Sequence, residues 1–212
     1  MKKQIWYLLN KLHIASVIQL ILKSGLKEDG WFKSYHTKQA IDNNSNPIPW
    51  CTYPFIKFIE PRLNDTLNVF EFGCGNSSLW YALKVKNITS VEHDREWHDL
   101  VKKKMPENAK IIFKELVYGG AYSKSIFESN DKYHIVIVDG RDRVNCAKNA
   151  IDALTDDGVI VFDNSDRPQY EPALDYLHQK GFKRLDFHGL SPVTAHNNLT
   201  SIFYRENNCL KI

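Results

Sequence analysis

Several acidic residues of this chain close short apolar runs. Glu71 follows Val69 and Phe70, Glu92 follows Thr89–Val91, Asp139 follows His134–Val138 and Asp163 follows Val159–Phe162. A carboxylate at the end of a buried apolar strand is costly unless it is paired or bound to something, so the ends at Asp139 and Asp163 point to function. Glu92 can accept two hydrogen bonds from vicinal hydroxyls, the pattern a ribose presents at the end of a second strand. Around Glu71 the sequence reads EFGCGNSS, residues 71–78. Gly73 and Gly75 stand where a backbone must bend sharply and approach a ligand, since glycine has no side chain in the way. A dinucleotide site usually carries a third glycine, for close packing of helix on strand. Here Ser78 holds that place and an acid opens the turn, which points away from such a ligand.

Positioning these ends requires a sheet whose strands mostly run the same way. Strands are expected near Asn68–Phe72, Thr89–Glu92, Lys110–Phe113, His134–Asp139, Val159–Asp163, Arg184–His188 and Thr200–Tyr204. Helical spacing falls between most of them, near Ser77–Val85, Glu96–Met105, Val144–Leu154 and Gln169–Lys180. This alternation predicts an α/β fold, a doubly wound, mostly parallel seven-stranded sheet that ends in a hairpin of two strands joined without a helix. Tyr53–Leu63 has the spacing of a helix leading into the first strand, and the boundary near Pro61 separates an N-terminal helical cap, 1–60, from the main domain, 61–212.

The cap begins with KKQIWYLLNKLHIASVIQLILKSGL, apolar at helical intervals but interrupted by Lys11, His13 and Gln19. These interruptions come too often for a bilayer-spanning helix, and no small-residue cleavage site follows. A helix or helix pair packed on the main domain is the simpler expectation, and peripheral contact with a membrane through a basic amphipathic helix is the other. Residues 25–46 turn polar around Trp31, Phe32, Tyr35 and His36, as a lid over a ligand or a satellite of the core does. Trp31, Trp50 and Tyr53 are candidates for a substrate-facing wall.

With 212 residues, 43% hydrophobic and 25% charged, the chain suits a globular protein with one sizeable core and excludes a disordered one. A net charge of +3, scattered and not striped, gives no argument for a nucleic-acid partner. Cys51, Cys74, Cys146 and Cys209 show no metal or disulfide spacing, as expected of reduced thiols in the cytoplasm. Among the dispersed histidines, His134 inside a strand reads as structural.

The acid-led glycine turn resembles motif I of the class I S-adenosylmethionine-dependent methyltransferases, and with the following strands the likeness covers roughly Asn64–Arg205. The resemblance implies a Rossmann-like methyltransferase fold and S-adenosylmethionine as cofactor. It implies that Glu71, Gly73, Cys74, Gly75 and Asn76 hold the methionine part, that Glu92 with His93 beside it holds the ribose, and that Asp139 stands at the reacting end. Trp97 is placed to stack near the adenine or to lie in the core. Asp139, Asp163 and Asn164 further resemble the Mg²⁺ ligands of catechol-type O-methyltransferases, and two carboxylates with one amide suit a hard cation. The lysine base of that group is not reproduced: Gly140, Arg141, Asp142 and Arg143 occupy the stretch. Asp142, His36 and His196 are the candidate bases. Without a metal, Asp139 faces cofactor or substrate directly while Asp163 and Asn164 cap the following turn. The implied activity is methyl transfer to a small-molecule acceptor, an oxygen for preference. A saccharide acceptor follows from a likeness of the first helix to methyltransferases of surface-polysaccharide pathways. An aminopropyltransferase-like enzyme and a non-catalytic cofactor-binding module are the rivals, and the oligomeric state stays open.

Overall fold

The computed structural model describes residues 2–212. Seven strands form one sheet: β1 (Asn68–Phe72), β2 (Asn87–Glu92), β3 (Ala109–Phe113), β4 (Tyr133–Val138), β5 (Leu154–Asp163), β6 (Lys183–Leu190) and β7 (Asn197–Tyr204). Their order is β3-β2-β1-β4-β5-β7-β6, and only β7 runs against its neighbours. The strand order reverses between β1 and β4, so the carboxyl ends of β1, β2, β4 and β5 converge on a crevice.

The central strands β1, β4 and the second half of β5 are buried on both faces, which is why their sequences read as continuous apolar runs. The pleat sends alternate residues to opposite layers. Val69, Ile135, Ile137, Val159 and Val161 join one core with α5 (Tyr53–Ile59) and α6 (Asn76–Ala82). Phe70, Phe72, Val136, Val138, Ile160 and Phe162 join the other, beneath α9 (Arg143–Ala153) and α10 (Glu171–Gln179). α9 packs closely because its inward face is small: Cys146, Ala147, Ala150 and Ala153 are all buried. On the outer side of the sheet, α7 (Arg95–Lys102) and the short α8 (Ala121–Lys124) complete the layers.

Three expectations are corrected. The polar stretch after Gly25 is not an open loop. It folds into α3 (Gly25–Glu28), whose N-terminus is capped by the Ser24 hydroxyl, and α4 (Trp31–Thr37). Next, β5 starts five residues early and β7 three, because Leu154 already pairs with Tyr133 ahead of a register shift and Asn197–Leu199 continue the β6 ladder. Finally, α1 (Lys2–Lys11) and α2 (Ala15–Leu22) do not pack on the sheet: of their described side chains only Ala15 is buried. No single helix among the described residues is long and apolar enough to cross a membrane.

Candidate functional site

The crevice at the strand ends holds a cavity of about 820 Å³, within the range of small-molecule sites. Glu71 and Glu92 both line it, with Gly73, Cys74, His93, Asp139, Asp163, Asn164 and His196.

The glycine turn follows from local geometry. Gly73 sits at φ +102, a region other residues rarely enter, and its amide donates to Val91 O at 2.9 Å. A side chain there would meet the Gly140 backbone at 3.3 Å, and one on Gly140 would meet Gly73 N and Phe72 O at 2.9 Å as well as the Tyr122 hydroxyl. β1 and β4 can approach this closely at their ends only because both positions lack a side chain. Gly140 was missed by the motif, and its position directly after Asp139 is the signal that could have found it.

Behind the turn, Glu71 is 1% exposed and accepts hydrogen bonds from Ser77 Oγ at 2.5 Å, Ser90 Oγ at 3.0 Å and Ser78 Oγ. Burial pushes its carboxyl up from 4.5 to about 7, against the pull of the three hydroxyls. Ser78, the residue that replaces the third glycine, thereby serves the acid that opens the turn.

Glu92 is held at the cavity rim by backbone. Its Oε1 accepts from His93 N at 2.7 Å and Asp94 N at 2.9 Å, and its Oε2 accepts from Cys74 N at 3.2 Å. With Oε1 so engaged, Oε2 is the oxygen with room for a ligand hydroxyl, where the sequence suggested both. Asp94 caps α7 by accepting from Trp97 N at 2.9 Å. That cap throws the Trp97 indole across the glycine turn, where Nε1 donates to Cys74 O at 2.8 Å and the ring edge lies 3.7 Å from where a Gly75 side chain would begin. Trp97 is therefore a wall of the cavity, not core. Cys74 acts through its backbone, for burial pushes its thiol pKa far up and keeps it neutral.

At the ends of β4 and β5 the structure holds a cation of its own. Arg143, the first residue of α9, points back between Asp139 and Asp163. Its Nε donates to Gly140 O at 3.0 Å, Nη2 to Asp139 O at 2.6 Å and Asp139 Oδ1 at 2.9 Å, and Nη1 to Asn164 Oδ1 at 3.3 Å and to Asp163 O. Asp163 Oδ2 lies 3.9 Å from Nη1. All the donors of the fork are thus satisfied at a site only 8% exposed. The Mg²⁺ expectation is corrected here. Asp139 and Asn164 spend their Oδ1 atoms on a guanidinium, Asp163 spends Oδ1 on the Thr200 hydroxyl and keeps Oδ2 near Nη1, and the positive charge between them would repel a divalent ion. They do not fit the group. Adding Mg²⁺ or EDTA should therefore leave binding and turnover unchanged, and a several-fold loss on chelation that Mg²⁺ restores would overturn this reading.

Burial and the facing carboxylate raise the pKa of Asp163, while Arg143 and the Thr200 hydroxyl, which donates to Asp163 Oδ1 at 2.7 Å, oppose the rise. Asp139 is likewise raised, first by burial and against the pull of Arg143.

Other expected residues lie elsewhere. Asp142 faces away from the cavity, its carboxylate accepting from Gly119 N and Asn145 Nδ2, both at 2.7 Å, so it is a loop clamp and not a base. His36 is exposed on α4 against Tyr35, outside the cavity. Asn76 donates to Ala40 O at 2.8 Å and ties α6 to the N-terminal segment. Gly75 is in extended backbone beneath Trp97 and does not line the cavity. Of the aromatic wall only Trp50 lines it; Tyr53 is core, and Trp31 donates to Thr194 O at 2.7 Å behind the cavity wall. Arg141, Arg167 and Tyr170 also line the cavity and were not singled out. His134 is structural, its Nδ1 accepting from Asn68 N at 3.0 Å.

No protein-family model and no curated protein matches the sequence. Solved structures match the fold. An rRNA methylase from Streptococcus thermophilus superposes with a TM-score of 0.55 at 13% identity, over 71% of this chain and 96% of that one. Precorrin-6y C5,15-methyltransferase from Geobacter metallireducens gives 0.55 at 15%, over 72% and 86%. A Streptococcus mutans protein solved in complex with SAH gives 0.52 at 11%, over 70% and 94%. At such identities the likeness establishes the fold: this chain has the α/β architecture of these structures, with an antiparallel β7 and N-terminal helices.

Proposed function

We propose that this chain is a class I S-adenosylmethionine-dependent methyltransferase acting on a hydroxyl of a small or medium acceptor. The observation that carries the reading is the convergence of Glu92, Trp97 and the Gly73 turn on one cavity at the sheet's switch point. The residues fit the cofactor: Glu92 Oε2 for a ribose hydroxyl, the Trp97 face for the base and the close-approach turn at Gly73 for the methionine part. When bound, S-adenosylmethionine supplies an electrophilic methyl sulfonium.

The chain's own part is to orient the acceptor and take its proton. Asp139 reaches the cavity with its side chain 25% exposed, and its raised pKa suits a base working near neutral pH. Arg143 fixes that carboxylate in place. His196 and Trp50 stand on the acceptor side, where they contact the substrate. Asp139→Asn should lower kcat about a hundredfold while leaving SAH affinity within a few-fold. Unchanged kcat would transfer the base role to His196.

Calorimetry with S-adenosylhomocysteine tests the cofactor reading. Wild type should bind, and Glu92→Ala should weaken binding by about 1.5–3 kcal/mol, the loss of a charged hydrogen-bond acceptor. Absence of heat and of any thermal shift at saturating ligand ends the proposal. Binding without transfer to any acceptor in a broad screen would favour the cofactor-binding module.

A further inference from the structure

The N-terminal helices carry a surface that the cavity does not explain. Ten of the eighteen large apolar side chains exposed among the described residues fall between Ile5 and Leu22, with Trp6, Leu8, Leu12, Val17 and Ile21 among them. Over the same stretch the charge is one-sided. Residues 1–27 contain five lysines and no Asp or Glu, although Asp and Glu number 25 in the whole chain. The two helices meet at 115°, so the pair is bent along a surface and does not form one continuous rod.

We propose that α1 and α2 dock the protein on an anionic lipid bilayer. Apolar side chains, an interfacial tryptophan and lysines without acidic neighbours are the combination that an anionic membrane surface recognises. A second copy of this chain would bring five more lysines against the same face, so charge argues for the bilayer. The attachment point gives docking a use. α4, which follows these helices, is fastened by Trp31 to Thr194, a residue lining the acceptor side of the cavity. Docking therefore holds that side of the cavity near the surface. The proposal is independent of methyl transfer.

The test is flotation of the full chain with vesicles of phosphatidylcholine alone and of phosphatidylcholine with phosphatidylglycerol. Partition onto the anionic vesicles should be strong, and it should fall steeply with added salt. The triple variant Lys3→Gln, Lys11→Gln, Lys23→Gln should bind about a hundredfold more weakly, at about fivefold per lysine. Leu8→Ser with Leu12→Ser should also lose binding while thermal unfolding stays as in wild type, because neither residue is buried in the fold. Failure to bind anionic vesicles would overturn the proposal. So would equal, salt-independent binding to neutral vesicles, or a stable dimer by light scattering that the Leu8/Leu12 variant breaks.

Discussion

Replacing Arg143 by Met should destabilise the protein by about 3–5 kcal/mol at pH 7, the loss that follows when one partner of a buried ion pair is removed. The substitution keeps most of the aliphatic length, so the effect isolates the guanidinium. What remains is Asp139 and Asp163 facing each other at the ends of adjacent strands, with three backbone carbonyls and Asn164 Oδ1 also losing a donor. Arg143→Lys should rescue only part of the loss, since an ammonium restores the charge but cannot span acceptors on Gly140, Asp139, Asn164 and Asp163 together. Adding Asp163→Asn to Arg143→Met should recover stability, because burial and Asp139 already disfavour the ionised form of that carboxyl. Urea unfolding of the single and double variants measures the coupling. An Arg143→Met variant within about 1 kcal/mol of wild type would show that the guanidinium does not hold the strand ends, and would reopen the site to an external cation.

That ion pair also marks where the sequence stops being readable. The strands could be placed because a strand buried on both faces has to be continuously apolar, as IVIV and VIVF are. The closing hairpin followed from the absence of a helix between Leu190 and Asn197. The acids at strand ends were equally visible, since Glu71, Glu92, Asp139 and Asp163 interrupt apolar runs. What each acid faces was not visible, because it depends on side chains that approach through three dimensions. Asp142 and Arg143 are neighbours in sequence, yet the left-handed backbone at Asp142, φ 51, sends one carboxylate to the Gly119 loop and lets the next residue turn inward. Asn76 lies in the motif but is taken by Ala40, far away in the chain. The helices α3 and α4 were hidden for another reason: short, polar and aromatic segments have no periodicity long enough to separate from a loop.

Glu71→Gln should change how stability depends on pH. The buried carboxyl titrates near 7 in the folded protein against 4.5 for a free side chain. Between those values the folded state holds a proton that the unfolded state has released. Stability from this group is therefore complete below about pH 4.5 and falls as pH rises through 7. The shift corresponds to about 3 kcal/mol. Glutamine cannot ionise, and its one carbonyl oxygen can accept from the Ser78 and Ser90 hydroxyls while its amide nitrogen donates to Ser77 Oγ, so the variant should gain on wild type by about that amount between pH 5 and pH 8. Urea midpoints across the range give the difference directly, and a difference independent of pH would refute the buried titration. The same carboxyl links stability to the proposed ligand. The amino group of the methionine part is cationic, and its approach to Glu71 favours the ionised form. Binding of S-adenosylhomocysteine near pH 6.5 should then release a proton in wild type and none in Glu71→Gln, seen as a buffer-dependent binding heat that the variant lacks. A proton balance that is the same in both proteins would place the ligand's charge away from Glu71 and leave the acid a structural role beneath the turn.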